Sequence, residues 1–371
     1  MSVKAEALFH PEAVRSPEYV QLSTAAAITL GLLPGRMYRT DCTHCLNLLV
    51  TYPEGCRANC SYCGLARHRD GETPYADRNF IRVGWPAVRY EELIARIARG
   101  EDGGRFQRMC ISMITHPDSD ADTFTLLHQW VAALPHIPVS ILSNPTTLGR
   151  DDLVALREAG AEIFTVALDA ATPELFERTR GRAVQSPHTW ARYWRALDWA
   201  AEVFGPGRFG AHLICGLGES EAELLECCQA IRDRGGRTHL FAFQPEAGSQ
   251  LEDRPPVPAD QWRRVQLGCY LIDHAETRVE AMRFDGAGRL VDYGVAPERL
   301  ERVVAAGTAF RTSGCPGPEG PDVSACNRPY GDCTPGDIRS FPFAPVEVDL
   351  KVVRRQLAGE RIATGSGLGE G

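Results

Sequence analysis

The chain of 371 residues has no excess of positive charge. Its formal net charge is −8 and no long basic run offsets it, which argues against nucleic acid as a partner. No apolar stretch reaches ~18 residues, which excludes a membrane-spanning helix. The opening residues, MSVKAEALFHPEAV, lack the apolar core of a signal peptide, so the chain is expected to be cytoplasmic. Nor is there a Ser-His-Asp or paired-carboxylate constellation to carry ordinary acid–base or hydrolytic chemistry.

What the chain does have is cysteine, thirteen in all, within an ordinary globular composition of 44% hydrophobic and 24% charged residues. An odd count without an export signal argues against a disulfide framework. Cys227 and Cys228 in LLECCQAI and Cys269 in LGCYLI lie in helical text and read as small buried apolar residues. The others gather: Cys42, Cys45, Cys56, Cys60 and Cys63 near the front, Cys315, Cys326 and Cys333 near the end. Gathered cysteines are the pattern of metal sites.

Between residues 46 and 285 short β-rich runs alternate with amphipathic helical text. LNLLVTY, RMCISMIT, PVSILSN, EIFTVALD, FGAHLIC and HLFAFQP are the strands; YEELIARIARG, TFTLLHQWVAAL, DDLVALREAG, WARYWRALDWAAEVF and EAELLECCQAIRDRGG are helices. Six such repeats predict a parallel α/β sheet with crossover helices, either an open doubly wound sheet or a partial barrel. The strands end in SMITHPDSD, SNPTT, LDAATPE, CGLGES and QPEAGS, and parallel folds gather such ends into one mouth. Residues 1–45 read as a lead-in. Residues 286–371 read as an extension with a Pro- and Gly-rich cysteine loop and a disordered tail, GERIATGSGLGEG.

CRANCSYC places Cys56, Cys60 and Cys63 in the pattern Cys-x3-Cys-x2-Cys, directly after the first strand and with Tyr62 before the third cysteine. Three thiolates suit a [4Fe–4S] cube whose fourth iron stays open to a small chelating molecule. A structural zinc would need a fourth ligand, for which His68 or the pair Cys42 and Cys45 are available. In its spacing, position and tyrosine the motif resembles the radical S-adenosylmethionine (SAM) superfamily, in its biotin-synthase-like branch. The resemblance implies a partial (β/α)6 TIM-type barrel, with a cluster whose open iron is chelated by SAM. One electron then cleaves SAM to a 5′-deoxyadenosyl radical.

It also implies roles for further residues. CGLGE resembles the glycine-rich turn near the adenine, which assigns Gly216 and Gly218 there. ALDAATPE resembles the strand end whose Asp binds the SAM ribose, here Asp169, although the partner Asn of that pattern is Ala167. RTRGR offers Arg178, Arg180 or Arg182 to the methionyl carboxylate, with Arg180 as the choice. A strand-end carboxylate at a mouth buries little, so Asp169→Ala is expected to cost more SAM affinity than stability.

Biotin synthase builds its second cluster from cysteines on inner strands plus an Arg. Cys110 falls at one such place, but PVSILSN and FGAHLI carry no cysteine. The chain more closely resembles the two-component lipoyl synthases, through CRANCSYCGLAR, ISMITHP, ALDAATPELFERTRG, HLICGLGE, LFAFQPEAGS, EAMRFD and the SGCP, ACNRPYGD, TPGD and FPF segments. This implies sulfur insertion into an octanoyl chain held on a lipoyl-carrier protein. It further implies a second radical SAM lipoyl synthase component and an electron donor such as ferredoxin or flavodoxin. The Cys-x4-Cys-x5-Cys signature of single-chain lipoyl synthases is missing, so an auxiliary [4Fe–4S] cluster is expected from Cys42, Cys45, Cys315 and Cys326, meeting at the barrel mouth. Cys333 is a spare, and a structural zinc ribbon is the competing reading of these four. Two other functions stand beside this one: a related radical SAM enzyme acting on a small molecule such as dethiobiotin, and a zinc-stabilised binding module without chemistry.

Overall fold

Strand alternation decides the architecture, because each inner strand carries one set of side chains toward helices and the other toward an enclosed lumen. The computed structural model describes residues 14–40, 42–69, 73 and 75–360. The first thirteen residues, and residues 361–371 of the tail expected to be disordered, lie outside them. Six strands run parallel in chain order: β2 (Cys45–Leu49), β4 (Arg108–Ser112), β5 (Val139–Ser143), β6 (Ala161–Asp169), β7 (Phe209–Cys215) and β8 (Arg237–Ala242). Two antiparallel strands extend the sheet beyond β2, β1 (Tyr19–Leu22) and then β3 (Ala87–Arg89), in the order β8-β7-β6-β5-β4-β2-β1-β3. The sheet stays open, with β8 and β3 at its edges.

Helices α1 (Tyr90–Ala98), α2 (Ser119–Ala133), α3 (Arg150–Glu158), α4 (Pro173–Arg180), α5 (Trp190–Phe204), α6 (Glu221–Asp233) and α7 (Ala259–Asp273) follow the strands. This is the partial (β/α)6 barrel that the resemblance predicts and one of the two folds that the repeat pattern allows. The lead-in strand β1 was not legible: three of its four residues are buried, so it shows no alternation. Helix α6 starts where SEAE, Ser220 to Glu223, spells a capping box, Ser220 Oγ accepting from Glu223 N at 3.2 Å and Glu223 accepting from Ser220 N at 2.7 Å.

The outward set is apolar. Leu46, Leu48, Met109, Ile111 and Ile141 are buried in the same core as Leu126, Trp130, Leu153 and Leu197 of the helices. The inward set is not: Cys45, Asn47, Cys110, Ser112, Thr165, His212 and His239 line the lumen. In register Asn47 faces Cys110 across β2 and β4, and Cys110 faces Ser140 across β4 and β5. Among the described residues no cysteine is in a disulfide, and Cys227, Cys228 and Cys269 are buried core residues as expected.

The C-terminal residues fold back on the barrel. Leu267 and Leu271 of α7 form a second core with Phe310, Phe341, Val303 and Val304 of α8 (Pro297–Ala306), and Leu350 and Val353 of α9 (Glu347–Leu357). One buried side chain ties this return to the lead-in. Asn327 Oδ1 accepts from Thr43 Oγ1 at 2.9 Å and from His44 N at 3.2 Å, while its Nδ2 donates to Cys42 O at 3.4 Å and Pro342 O at 3.5 Å. Asn327→Ala should cost about 1–3 kcal/mol for each buried partner left unmade, seen as a lower thermal midpoint and faster proteolysis after residue 310. An unchanged melt would mean that packing alone holds the return.

Candidate functional site

The loop after β2 carries Cys56, Cys60 and Cys63, and backbone bonds fix it over the carboxyl end of the barrel. Arg57 N donates to Thr115 O at 2.7 Å, Ser61 N to Thr179 O at 2.8 Å and Cys63 N to Cys60 O at 3.1 Å. Asn59 clamps the loop further, its N donating to Ser186 Oγ at 2.6 Å and its Nδ2 to Val184 O at 3.0 Å. Gly64 follows the third cysteine where a Cβ would sit 2.3 Å from Asn79 O, so no larger residue fits. Two thiols accept backbone hydrogen bonds, Cys56 Sγ from Ala58 N and Cys63 Sγ from Leu65 N, each at 3.4 Å. Burial pushes the Cys60 thiol up to about 11 against the pull of Arg180, and burial raises Cys56 and Cys63 as well. A metal cluster held there would have to displace these protons.

All three thiols open into one cavity of 180 Å³, which Tyr62, Asn144, Asp169, Arg180, His188 and Glu246 also line. Here β6 ends, and Asp169 adopts φ +62, a left-handed value that side chains rarely hold. Its Oδ2 accepts from Tyr62 OH at 2.5 Å and from Arg180 Nη1. Burial raises the Tyr62 pKa far above the ordinary phenol value, so the hydroxyl remains the donor. Of the three arginines in RTRGR, Arg178 and Arg182 are exposed and Arg180 is buried. Arg180 also donates to Ala167 O, and its Nη2 reaches Asn144 Oδ1 at 2.9 Å and Tyr193 OH at 3.0 Å. Its Nε is buried without a partner among the described residues.

That arrangement fits a SAM-chelated cluster. Three thiols line the same cavity as a cationic side chain whose Nε has no partner among the described residues, and Asp169 lies at the same mouth. Among the described residues no three His, Cys, Asp or Glu side chains converge as a single metal ion would require. A cube asks for something else, since each thiolate takes its own iron and the sulfurs surround the cluster. His68, a candidate fourth zinc ligand, is exposed beside Arg67.

Gly216 and Gly218 sit in the turn after β7, at φ +109 and +129, but do not line this cavity. A Cβ at Gly216 would approach Val257 Cβ to 2.8 Å, so packing already demands glycine there. Their N–H groups are spent on Glu219, at 2.6 and 3.0 Å. Asn144, His188 and Glu246 are lining residues that the sequence reading missed as individuals, although SNPTT and QPEAGS had marked two of their loops.

A second cavity joins the first from the amino-terminal side of the lumen. Cys45, Cys110, Cys315 and Cys326 line it. Cys42, expected among them, does not, and its Sγ lies 3.7 Å from His44 Nδ1. Cys333 is buried elsewhere. The group thus lies inside the barrel rather than at the mouth, because Cys45 opens β2 and the extension reaches the strand starts. The two cavities share Phe80, Ile81, Leu142 and Phe241 with Ser112 and His212.

Residues 50–231 match the Radical SAM superfamily model. The ribosomal protein uS12 methylthiotransferase RimO of Nitratidesulfovibrio vulgaris, in the strains DP4 and Hildenborough, is 24% identical over 262 residues, 66% of this chain and 55% of its own. The chain therefore spans about half the length of these curated relatives. Among solved structures, HydG, a maturase of the [FeFe]-hydrogenase, aligns with a TM-score of 0.48 at 14% identity over 62% of this chain and 49% of its own. Methylornithine synthase (PylB) aligns with a TM-score of 0.43 at 17% identity over 57% and 56%.

The Asp169–Arg180 pair changes one expectation. Asp169 neutralises a guanidinium that is 1% exposed, so its removal strands a buried charge. Asp169→Ala should cost about 3–5 kcal/mol of stability as well as SAM affinity. The double variant Asp169→Ala with Arg180→Met should regain much of the thermal midpoint without regaining SAM binding by calorimetry. A single variant that melts like the parent would refute the pair's structural role.

Proposed function

The chain belongs to the radical SAM superfamily, and on that premise we propose that it inserts sulfur into the octanoyl chain of a lipoyl-carrier protein. Superfamily membership implies a [4Fe–4S] cluster and SAM, and the chain is a radical SAM enzyme. Cys56, Cys60 and Cys63 would hold the cluster. Arg180 would receive the methionyl carboxylate on its free Nε, and Asp169, fixed by Tyr62, would take the ribose. When bound, cluster and SAM supply a carbon radical that takes a hydrogen atom from an unactivated carbon, and a second cluster would supply sulfide and accept the electron released as the C–S bond forms.

One observation carries this reading: the cavity lined by Cys56, Cys60 and Cys63 and the cavity lined by Cys45, Cys110, Cys315 and Cys326 adjoin at a waist whose shared walls include Phe80, Ile81, Leu142 and Phe241. An aliphatic chain suits such walls, and its carbons would lie between the hydrogen-abstracting end and the sulfur-bearing end. The apolar walls also exclude water from a radical. Similarity to a methylthiotransferase of a ribosomal protein supports sulfur transfer onto a protein-borne group. The partners proposed are the octanoylated carrier, a second radical SAM lipoyl synthase component, and ferredoxin or flavodoxin as electron source. Ser112 and His212, polar groups in the same waist, favour a second reading, a small molecule with a polar group such as dethiobiotin.

The test is anaerobic reconstitution with SAM and reductant, offering octanoyl-lysine peptide and dethiobiotin in parallel and reading product masses. Thiolated octanoyl peptide is the expected product. Cys56→Ala should abolish 5′-deoxyadenosine formation. Ile81→Trp should fill the waist, leaving SAM cleavage intact while thiolation falls by roughly tenfold or more, an extra barrier of about 1.4 kcal/mol. Thiolation of dethiobiotin alone would overturn the octanoyl assignment.

A further inference from the structure

On the outer side of the Cys56–Cys63 loop lies an open cleft of 650 Å³ that the chemistry above leaves unused. Arg57, Arg67 and Arg182 line it, together with Thr115, Asp120 and Ser186. Arg57 faces this cleft, while its neighbours Cys56 and Ala58 line the SAM cavity, and Ile114 and Asn144 line both spaces. A body seated against Arg57 is therefore one residue along the chain from Cys56.

The partition between the two spaces is stitched shut. Arg57 N donates to Thr115 O at 2.7 Å, and Asn59 N to Ser186 Oγ at 2.6 Å, tying the loop to the far walls of the cleft. Asn144 is spent on both sides, its Oδ1 accepting from Arg180 at 2.9 Å and its Nδ2 donating to Met113 O at 3.1 Å. The cleft is a seat beside the loop rather than an entrance through it.

Its charge is opposite to that of the molecule. The chain carries a net −8, yet all three arginines of the cleft are exposed. Neither Arg57 nor Arg67 meets a carboxylate among the described residues; Arg67 donates to Gln185 O at 3.1 Å and to His68 Nε2 at 3.3 Å. Arg182, 85% exposed, has Glu177 at 3.6 Å. The nearby carboxylates are engaged elsewhere. Glu54 and Asp118 hold Arg15 at 2.5 and 3.2 Å, and Asp120 accepts from Thr147 Oγ1.

We propose that this arginine cleft is the docking face for the protein that delivers the electron, a one-electron carrier with an acidic surface, of the flavodoxin or ferredoxin class. The inference rests on the radical SAM premise of the proposed function and on no particular substrate. An electron needs proximity to the thiols and no passage, which a closed partition one chain thick provides. The octanoylated carrier has the other requirement, because its acyl chain must enter the SAM cavity. Opposite charge steers such a partner onto the loop, and redox encounters use small, weak contacts that release quickly. One electron leaves the reduced carrier and reduces the cluster by one; no atom or proton moves with it.

The experiment uses the full chain, reconstituted anaerobically with iron and sulfide, with flavodoxin and ferredoxin as probes. Binding is read by calorimetry, and cluster reduction by rapid-freeze EPR. The double variant Arg57→Glu with Arg67→Glu should bind the carrier protein roughly tenfold or more weakly at about 0.1 M salt. The difference from the parent should narrow toward ~1 M salt, where screening shortens from ~10 Å to ~3 Å. Reduction by the carrier protein should slow in step. Iron content and reduction by dithionite should match the parent. Arg195→Glu, which changes the same charge at an exposed site on α5, should behave like the parent throughout. A parent reduced by neither carrier protein would overturn the docking face. So would unchanged binding in the double variant, an equal loss in Arg195→Glu, or an equal loss of dithionite reduction. Weaker binding of the octanoylated carrier with flavodoxin and ferredoxin unaffected would assign the cleft to that carrier instead. A parent that takes electrons through the cleft yet thiolates no octanoyl peptide would sink the substrate reading and leave the docking face standing.

Discussion

The buried guanidinium of Arg180 organises the mouth of this barrel. A charge 1% exposed must be paired, and its partners come from separate elements: Asp169 and Ala167 at the end of β6, Asn144 after β5, and Tyr193 on α5. Asp169 in turn holds Tyr62, which lies between the second and third cysteines of the Cys56–Cys63 loop. One cation thereby links two strand ends, a helix and the loop that bears the thiols. The left-handed backbone at Asp169 is tolerated because the same pair over-determines its position. Of the Arg180 nitrogens, Nε alone is buried without a partner among the described residues.

The second constraint is how the lumen is filled. Closed eight-stranded barrels pack their interior with layers of branched side chains, whereas here the inner faces carry thiols, hydroxyls, an amide and imidazoles. Such a lining costs stability unless its groups are used, because buried polar atoms need partners. His212 and His239 illustrate it. Burial holds both imidazoles well below their ordinary pKa, with His239 at about 3, so they stay neutral in the lumen. Stability comes from the outer face instead, where Leu46, Leu48, Met109 and Ile111 meet the helices. Separating an apolar exterior from a polar interior lets a thin parallel sheet enclose two adjoining cavities.

The sequence by itself determined the parallel α/β repeat and the loop that carries Cys56, Cys60 and Cys63. Six runs of β-rich text with helices between them read as parallel strands, in either an open doubly wound sheet or a partial barrel, and the structure shows the consecutive order of the barrel. Cys56, Cys60 and Cys63 are legible because a loop of eight residues has no freedom to scatter them. Tyr62, Asp169 and Arg180 were readable through their motif, and the structure brings these three into contact. What the text could not show was the strength of the link between Asp169 and Arg180, since burial depends on α5 and β5 packing over them.

Only the tertiary structure decided the second group. Cys42 and Cys45 are equivalent as text, but in the fold Cys45 starts a lumen-facing strand while Cys42 stays outside the cavity lining. Cys110 could face helix or lumen, and strand parity with its neighbours settled it. The return of Cys315 and Cys326 to Cys45 spans more than half the chain and rests on Asn327 binding both Thr43 and Pro342. No local spacing encodes a contact of that range, because it forms only when the two chain ends pack on the same rim of the barrel.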